Sequence, residues 1–361
     1  MDHDKTKIAI ISHSLGEGGA ERFAGELSFM LNDLQYEVHH IIVNDNVDYP
    51  FSGQLYNLGQ LCQGDSGLLK KIKKGKLLHQ YLKNKNINII IDNRTRNSLI
   101  RELLTVLIYG NRKIYYIIHS YHLENYLPKS VFFAKLLCKN AQKLICVSKA
   151  IEEKVFQTYG FKNTVTIYNP VKKLPITEMT SGDVPENYIL FYGRLEEQVK
   201  NFTLLLQAFS ESKIDEKGFQ LVILGNGPSK KTIQETIEKL QLVDSVTLIP
   251  FQKDPFAYVR KARFTILTSY YEGFPMSIIE SLSLGTPVIS VDCNSGPKEI
   301  IVNEKNGLLV PNHDPVLLGK AMSRFVEDSD LYEYCKKNAT QSVSHLSFSE
   351  ISAQWQSVLE E

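Results

Sequence analysis

Apolar runs of strand length alternate along the first half of the chain with stretches whose apolar residues recur at helical spacing. Lys7–Ser12 reads as a buried strand, Gly16-Glu17-Gly18-Gly19 as a turn, Ala20–Leu34 as a helix and Glu37–Val43 as the next strand. Ile87–Ile91, Ile114–Ile118, Lys143–Val147 and Thr164–Ile167 continue the series. The second half repeats the plan with Tyr188–Tyr192, Phe219–Leu224, Val246–Ile249, Arg263–Leu267, Pro287–Val291 and Gly307–Val310, separated by helical stretches such as Phe202–Ser210 and Ser229–Leu240. Strands alternating with helices predict parallel sheets covered on both faces, an α/β chain of two doubly wound halves.

The junction falls near Asn169-Pro170-Val171, because a proline pushes its predecessor out of the helical region, and a short polar stretch to about Asn187 follows. Domains are therefore expected at residues 1–169 and 170–345. A last helix within 346–361, carrying Trp355, is expected to pack back on the first domain. A length of 361 residues agrees with two cores.

No apolar run approaches the roughly 20 residues of a membrane span, and the polar start Met1-Asp2-His3-Asp4-Lys5 lacks the plan of a signal peptide, so a cytoplasmic location is expected. Five scattered cysteines, without a C-x-x-C pair, indicate neither a disulfide framework nor a zinc site. Charge changes the picture more. Through Asn169 there are 22 basic against 15 acidic residues, and in the remainder 19 against 25, so the halves carry +7 and −6. The basic half suits an anionic partner. Its densest segment, Leu68–Lys85, holds Lys70, Lys71, Lys73, Lys74, Lys76, Lys83 and Lys85 and no acid. A solvated helix face is one reading. The other sets Leu68, Leu69, Ile72, Leu78 and Leu82 beside the lysines as a surface for an anionic membrane, to which Arg94 and Arg96 of the Asp92–Arg101 loop add acceptor-facing cations.

Ligands of open parallel sheets bind beyond the carboxyl ends of the strands. Five loops there carry chemistry. Gly16, Gly18 and Gly19 permit backbone N–H groups to approach an anion at a helix start, although a turn needing glycine for its own dihedrals explains them equally. Arg194 and Lys200 straddle one loop as a diphosphate clamp would, with Asn201 placed to cap the next helix. Gly225, in Gly225-Asn226-Gly227-Pro228, ends a strand where backbone can approach a base or ribose, and Phe251 follows the next strand. In Glu272-Gly273-Phe274-Pro275-Met276-Ser277-Ile278-Ile279-Glu280, Pro275 is expected as the first helical residue, leaving the N–H groups of Met276 and Ser277 aimed at a phosphate. Glu272 and Glu280 would repel that phosphate, so they suit sugar and ribose hydroxyls; for Glu280 a helix-surface position is the plainer alternative. His119 ends a strand of the first half, where a lone histidine is more often structural than catalytic.

The ordered set Gly-Gly-Ala-Glu-Arg, Gly-Arg-Leu with a downstream Lys-Asn, Gly-x-Gly-Pro and Glu-x7-Glu resembles the retaining glycosyltransferases of family 4, which have the GT-B fold of two facing Rossmann-like domains with a cleft between them. The Tyr168-Asn169-Pro170-Val171 junction and the Ser295-Gly296-Pro297-Lys298-Glu299 turn resemble bacterial members that extend surface polysaccharides, lipid-linked oligosaccharides or lipopolysaccharide. The resemblance implies that Arg194 and Lys200 bind the donor diphosphate, Glu280 the ribose and Glu272 the transferred sugar. It also implies that His119 lies beside the anomeric carbon and that Gly16 to Gly19 close on the phosphates. It further implies a nucleotide-sugar donor, with UDP a prior, no metal or other cofactor, and a front-face transfer in which the leaving diphosphate helps deprotonate the acceptor.

Rival readings are weaker. The dinucleotide fingerprint fails, since Glu21 stands where its last glycine should. An epimerase or phosphorylase of the same architecture, or a non-catalytic nucleotide-sugar-binding subunit, would share the donor residues. A glycan or lipid-linked acceptor and peripheral contact with an anionic membrane are the expected partners; nucleic acid is not.

Overall fold

The computed structural model describes residues 5–16, 18–171 and 184–361; Glu17 of the glycine turn and most of the polar stretch after the junction lie outside the described residues. The chain divides into two compact units, Met1–Pro170 with Phe348–Glu361, and Val171–Ser347.

Unit 1 runs β1 (Lys7–Ser12), α1 (Gly19–Asp33), β2 (Glu37–Ile42), β3 (Gln54–Asn57), α2 (Leu58–Leu61), α3 (Gly67–Asn84), β4 (Ile89–Asp92) and α4 (Leu99–Tyr109). It continues with β5 (Lys113–Ile118), α5 (Val131–Leu137), β6 (Ala141–Cys146), α6 (Lys149–Tyr159) and β7 (Thr164–Thr166). The strands form a parallel sheet in the order β3-β2-β1-β4-β5-β6-β7. The central strands are buried, β-branched runs such as Ile8–Ile11 and Ile89–Ile91, as a sheet covered on both faces requires. β3 escaped the sequence pattern: it is an edge strand with Gln54 and Leu55 exposed, so no apolar run marks it.

Unit 2 runs β8 (Tyr188–Tyr192), α7 (Glu197–Lys200), α8 (Phe202–Ser212), β9 (Gln220–Leu224), α9 (Lys230–Lys239), β10 (Val246–Ile249) and α10 (Phe256–Lys261). There follow β11 (Thr265–Leu267), α11 (Met276–Ser283), β12 (Val288–Asp292), α12 (Pro297–Ile300), β13 (Gly307–Pro311), α13 (Pro315–Glu327) and α14 (Ser329–Ser342). Its parallel sheet has the order β10-β9-β8-β11-β12-β13. Both units are thus α/β with doubly wound parallel sheets.

The last helix, α15 (Phe348–Glu360), belongs to unit 1. Trp355 is fully buried with its ring centroid 6.4 Å from that of Phe23, and the Tyr115 hydroxyl donates to the Val358 carbonyl at 3.2 Å. All five cysteines are buried and unpaired. Among the described residues no helix is long and apolar enough to cross a membrane.

Candidate functional site

Each unit gathers its chemistry at the carboxyl edge of its sheet. In unit 1 the neighbouring strands β1, β4 and β5 end in the glycine turn, in Asn93 and in His119. Gly18 adopts φ 122°, which explains its glycine as backbone geometry. Gly19 opens α1, and nothing described lies within 4 Å of where its Cβ would stand, so packing does not demand glycine there and the helix start is left open. His119 Nε2 lies 2.5 Å from Asn93 Oδ1, and the Phe23 ring of α1 meets the imidazole edge-on at 5.2 Å. Burial, aided by the Arg96 cation, pushes the His119 pKa down to about 3, which leaves the ring neutral.

In unit 2 the edge formed by β10, β9, β8 and β11 presents Phe251, Gly225, Arg194 and Glu272 in that spatial order. Lys200 ends α7, and its Nζ lies 2.6 Å from Glu272 Oε1, which also accepts the Ser269 hydroxyl at 2.6 Å. The Lys200 carbonyl accepts from Thr268 Oγ1 and the Tyr270 N–H bonds the Val199 carbonyl, each at 2.8 Å, so backbone and side-chain bonds bind α7 to the β11 loop. Asn201 caps α8 through a 3.2 Å bond from the Leu204 N–H. Gly225 has φ 156°, and a Cβ there would stand 1.9 Å from the Gly193 carbonyl oxygen, so the loops after β8 and β9 touch backbone to backbone. Arg194 is exposed, beside Glu196 at 3.2 Å, and Phe251 exposes its ring.

Glu280 is 3% exposed, which removes the helix-surface alternative; the Tyr192 hydroxyl reaches its Oε2 at 3.2 Å and the Ser277 carbonyl at 2.8 Å. Pro275 is not the first helical residue. It caps α11 from an extended conformation, and its carbonyl accepts the Ile278 N–H at 3.1 Å. The N–H groups of Met276 and Ser277 still open the helix, and neither makes a hydrogen bond among the described residues, so they remain donors at the positive end of the dipole. Gly273 and Phe274 are buried beneath this turn, where the Gly273 carbonyl accepts the Ser295 hydroxyl at 3.0 Å.

Comparison with known proteins decides what such an edge belongs to. Residues 179–342 match the family model "Glycosyl transferases group 1" and residues 17–173 match "Glycosyltransferase Family 4". A Campylobacter jejuni N-acetylgalactosamine-N,N'-diacetylbacillosaminyl-diphospho-undecaprenol 4-alpha-N-acetylgalactosaminyltransferase is 30% identical over 346 residues, 92% of this chain and 93% of the relative. The chain belongs to the family 4 glycosyltransferases. The Escherichia coli lipopolysaccharide 1,6-galactosyltransferase is 30% identical over 183 residues, covering 47% of this chain and 50% of that protein. A structure of a substituted S. aureus TarM in complex with fondaparinux, alpha-GlcNAc-glycerol and UDP superimposes with a TM-score of 0.80 at 15% identity, over 99% of this chain and 100% of that one, which gives this glycosyltransferase the GT-B fold.

One expectation for the glycosyltransferase's first unit fails and another holds only in part. Arg94 and Arg96 are 5% and 4% exposed and cannot serve as a membrane or acceptor surface. Arg94 donates to both Asp92 carboxylate oxygens at 2.9 and 2.7 Å and to Glu102 at 3.3 Å. Arg96 lies over the Tyr116 ring at 4.4 Å and donates to the carbonyls of Tyr126 and Arg94. Buried carboxylates and carbonyls at the centre of the sheet draw both guanidinium groups inward. On α3 the lysines divide. Lys71 and Lys76 are exposed, Lys73 pairs with Asp65 at 2.7 Å, Lys70 is half-buried, and half-buried Lys74 donates to the Val43 carbonyl, with burial and then Lys70 lowering its pKa. Leu68, Leu69 and Ile72 are exposed, whereas Leu78 and Leu82 are core. Asn93, Tyr192 and Ser269 were not singled out in the sequence; each immediately follows, ends or closely follows a strand, and that position is their one local signal. No three described His, Cys, Asp or Glu side chains cluster to hold a metal ion.

Proposed function

We propose that this enzyme transfers a sugar, with retention, from a UDP-sugar held by unit 2 to a hydroxyl of a lipid-linked or otherwise anionic acceptor glycan recognised by unit 1, in bacterial surface-glycan synthesis at the cytoplasmic face of the membrane. The observation that carries the donor half is the Lys200–Glu272 pair beside the α11 start. It sets a cation for the diphosphate and a carboxylate for sugar hydroxyls 2.6 Å apart, with Glu280 behind them for the ribose. UDP occupies the TarM structure, and the Campylobacter relative is named for a diphospho-undecaprenol substrate.

In the reaction, the acceptor oxygen bonds the anomeric carbon on the face from which the diphosphate departs, and the acceptor proton passes to a departing phosphate oxygen, giving glycosylated acceptor and UDP. Lys200, Arg194 and the Met276 and Ser277 N–H groups stabilise the charge growing on that phosphate. No metal enters the scheme.

The acceptor half rests on unit 1's surface. Exposed apolar side chains cover three successive helices that pack side by side: Leu69 on α3, Leu107 on α4 and Phe132 on α5 are 78%, 75% and 71% exposed. Lys71 and Lys76 are exposed on the same α3, so this helix offers an anionic bilayer both charge and apolar side chains. Isothermal titration with UDP and a panel of UDP-sugars tests the donor, and one of them binding more tightly than UDP is expected; absence of binding by all would remove the reading. Co-sedimentation with anionic and neutral vesicles tests the membrane. Lys71→Gln with Lys76→Gln should remove the salt-sensitive part of binding and Leu107→Ser with Phe132→Ser the salt-resistant part. No binding by the parent at low salt would leave a water-soluble acceptor.

A further inference from the structure

The hydrogen bonds around Asn93 dictate more about His119 than its burial does. Asn93 is 4% exposed, and its backbone N–H bonds the Ile11 carbonyl at 2.8 Å, which anchors it to β1. Its side-chain Nδ2 donates to the Ala20 carbonyl in the first turn of α1 at 2.8 Å. A carbonyl only accepts, so the amide has one orientation and Oδ1 must be the atom facing His119. Oδ1 also only accepts, and His119 Nε2 lies 2.5 Å from it, so the proton of the neutral ring sits on Nε2.

We propose that Asn93 is a positioning residue that holds His119 as the Nε2–H tautomer and presents the bare Nδ1 lone pair as a hydrogen-bond acceptor for a sugar hydroxyl. Nδ1 makes no hydrogen bond among the described residues and is not among the buried polar atoms that lack one. The groups facing the ring are the Phe23 edge from α1, Tyr126 from the loop after β5 and the Arg96 cation from the loop after β4, none of which offers it an acid. With a conjugate acid near pH 3, the ring carries no second proton on Nδ1 to give up as an acid at neutral pH and attracts one too weakly to be a general base there. His119 thus selects a ligand hydroxyl by accepting its proton in a hydrogen bond, without moving that proton. Through Ala20 the same amide ties the histidine to the glycine turn, so one side chain sets two of unit 1's three site loops.

This inference rests on the sugar-transfer reading for its ligand, but the tautomer itself is measured without turnover. The full chain, with its nine histidines 15N-labelled and His119 assigned by His119→Gln, is read by long-range 15N–1H correlation between pH 8 and pH 5. The expected result is a protonated Nε2 and an unprotonated Nδ1 throughout, with the Nδ1 signal shifting on addition of saturating donor or acceptor. Asn93→Asp should keep Nε2–H and raise the pH at which Nδ1 gains a proton. Asn93→Leu should populate the Nδ1–H tautomer and lower kcat about ten-fold, the size of one lost hydrogen bond, with a smaller change in KM. A parent with Nδ1–H overturns the proposal before any variant is made, as does an Asn93→Leu ring that keeps the parent tautomer. An Nδ1 signal indifferent to both substrates overturns the acceptor role. Lack of transfer from every UDP-sugar with the stated tautomer present would strike the functional reading alone, whereas the wrong tautomer with transfer intact would strike this one alone.

Discussion

At the end of β4, Asp92, Arg94 and Glu102 are almost wholly buried and satisfy one another, with the Tyr109 hydroxyl donating to Asp92 at 2.8 Å. At the end of β8 and β11, the side chains of Lys200 and Glu272 keep 19% and 12% of their surface exposed, and that of Arg194 keeps 69%. The same residue types therefore do opposite work at the carboxyl edges of two similar sheets. A buried ion network costs desolvation that only its internal partners offset, and its bonds are turned inward, away from a ligand. A pair that keeps part of its surface exposed retains water that a diphosphate can replace. Exposure, more than residue type, separates the charges that shape this enzyme from those available to its substrate.

The comparison breaks most severely at Asp92. Burial alone would raise its pKa, but the Arg94 guanidinium holds it below the usual carboxylate value. Asp92→Ala leaves Arg94 buried with one fewer counter-charge, at an expected ~3–5 kcal/mol in denaturant unfolding, while UDP affinity of the folded protein is unchanged. Lys200→Ala should do the reverse, costing ~1.5–3 kcal/mol of UDP binding, roughly 10- to 100-fold by calorimetry, with little change in unfolding. Glu272→Gln sharpens the division within unit 2: UDP affinity is spared and the extra affinity for the UDP-sugar is lost.

A third contrast is between neutral and charged groups inside unit 1. His40, packed edge-on against Phe51, has no hydrogen-bond partner for either ring nitrogen, and burial pushes it down to about 3, as for His119. A folded-state pKa below the ordinary 6.5 means that the unfolded chain binds more protons between pH 6.5 and about 3. The stability is fully present above pH 6.5 and falls as pH drops through that window. His40→Leu should flatten the decline by up to roughly 1.4 kcal/mol per pH unit, measured by unfolding at pH 7, 6 and 5. The smallest effect belongs to Tyr192→Phe, which removes the hydroxyl held between Glu280 and the Ser277 carbonyl and should weaken UDP binding by ~1 kcal/mol. An unchanged affinity would show that Glu280 keeps its place without it.

Much of the fold was legible along the chain, because a parallel strand covered on both faces must be an unbroken apolar run and a crossover helix must be periodic. The glycine turns, the Asn201 cap and the Glu272-to-Glu280 spacing were legible for the same reason: each is decided by neighbours within a few residues. β3 was not, since an edge strand need not be apolar on both faces. Nor were the fates of Arg94, Arg96 and Lys74, the split of the α3 leucines into exposed Leu68 and Leu69 and buried Leu78 and Leu82, or the apolar face on α4 and α5. Those depend on which element lies against which. The sequence by itself determined two doubly wound sheets and the loops that end their strands. Only the tertiary structure decided which charges are covered, that Lys200 meets Glu272 across 72 residues of chain and that Asn93 reaches Ala20 across 73, because burial and hydrogen-bond partners are set by segments distant in sequence that the sheet order brings together.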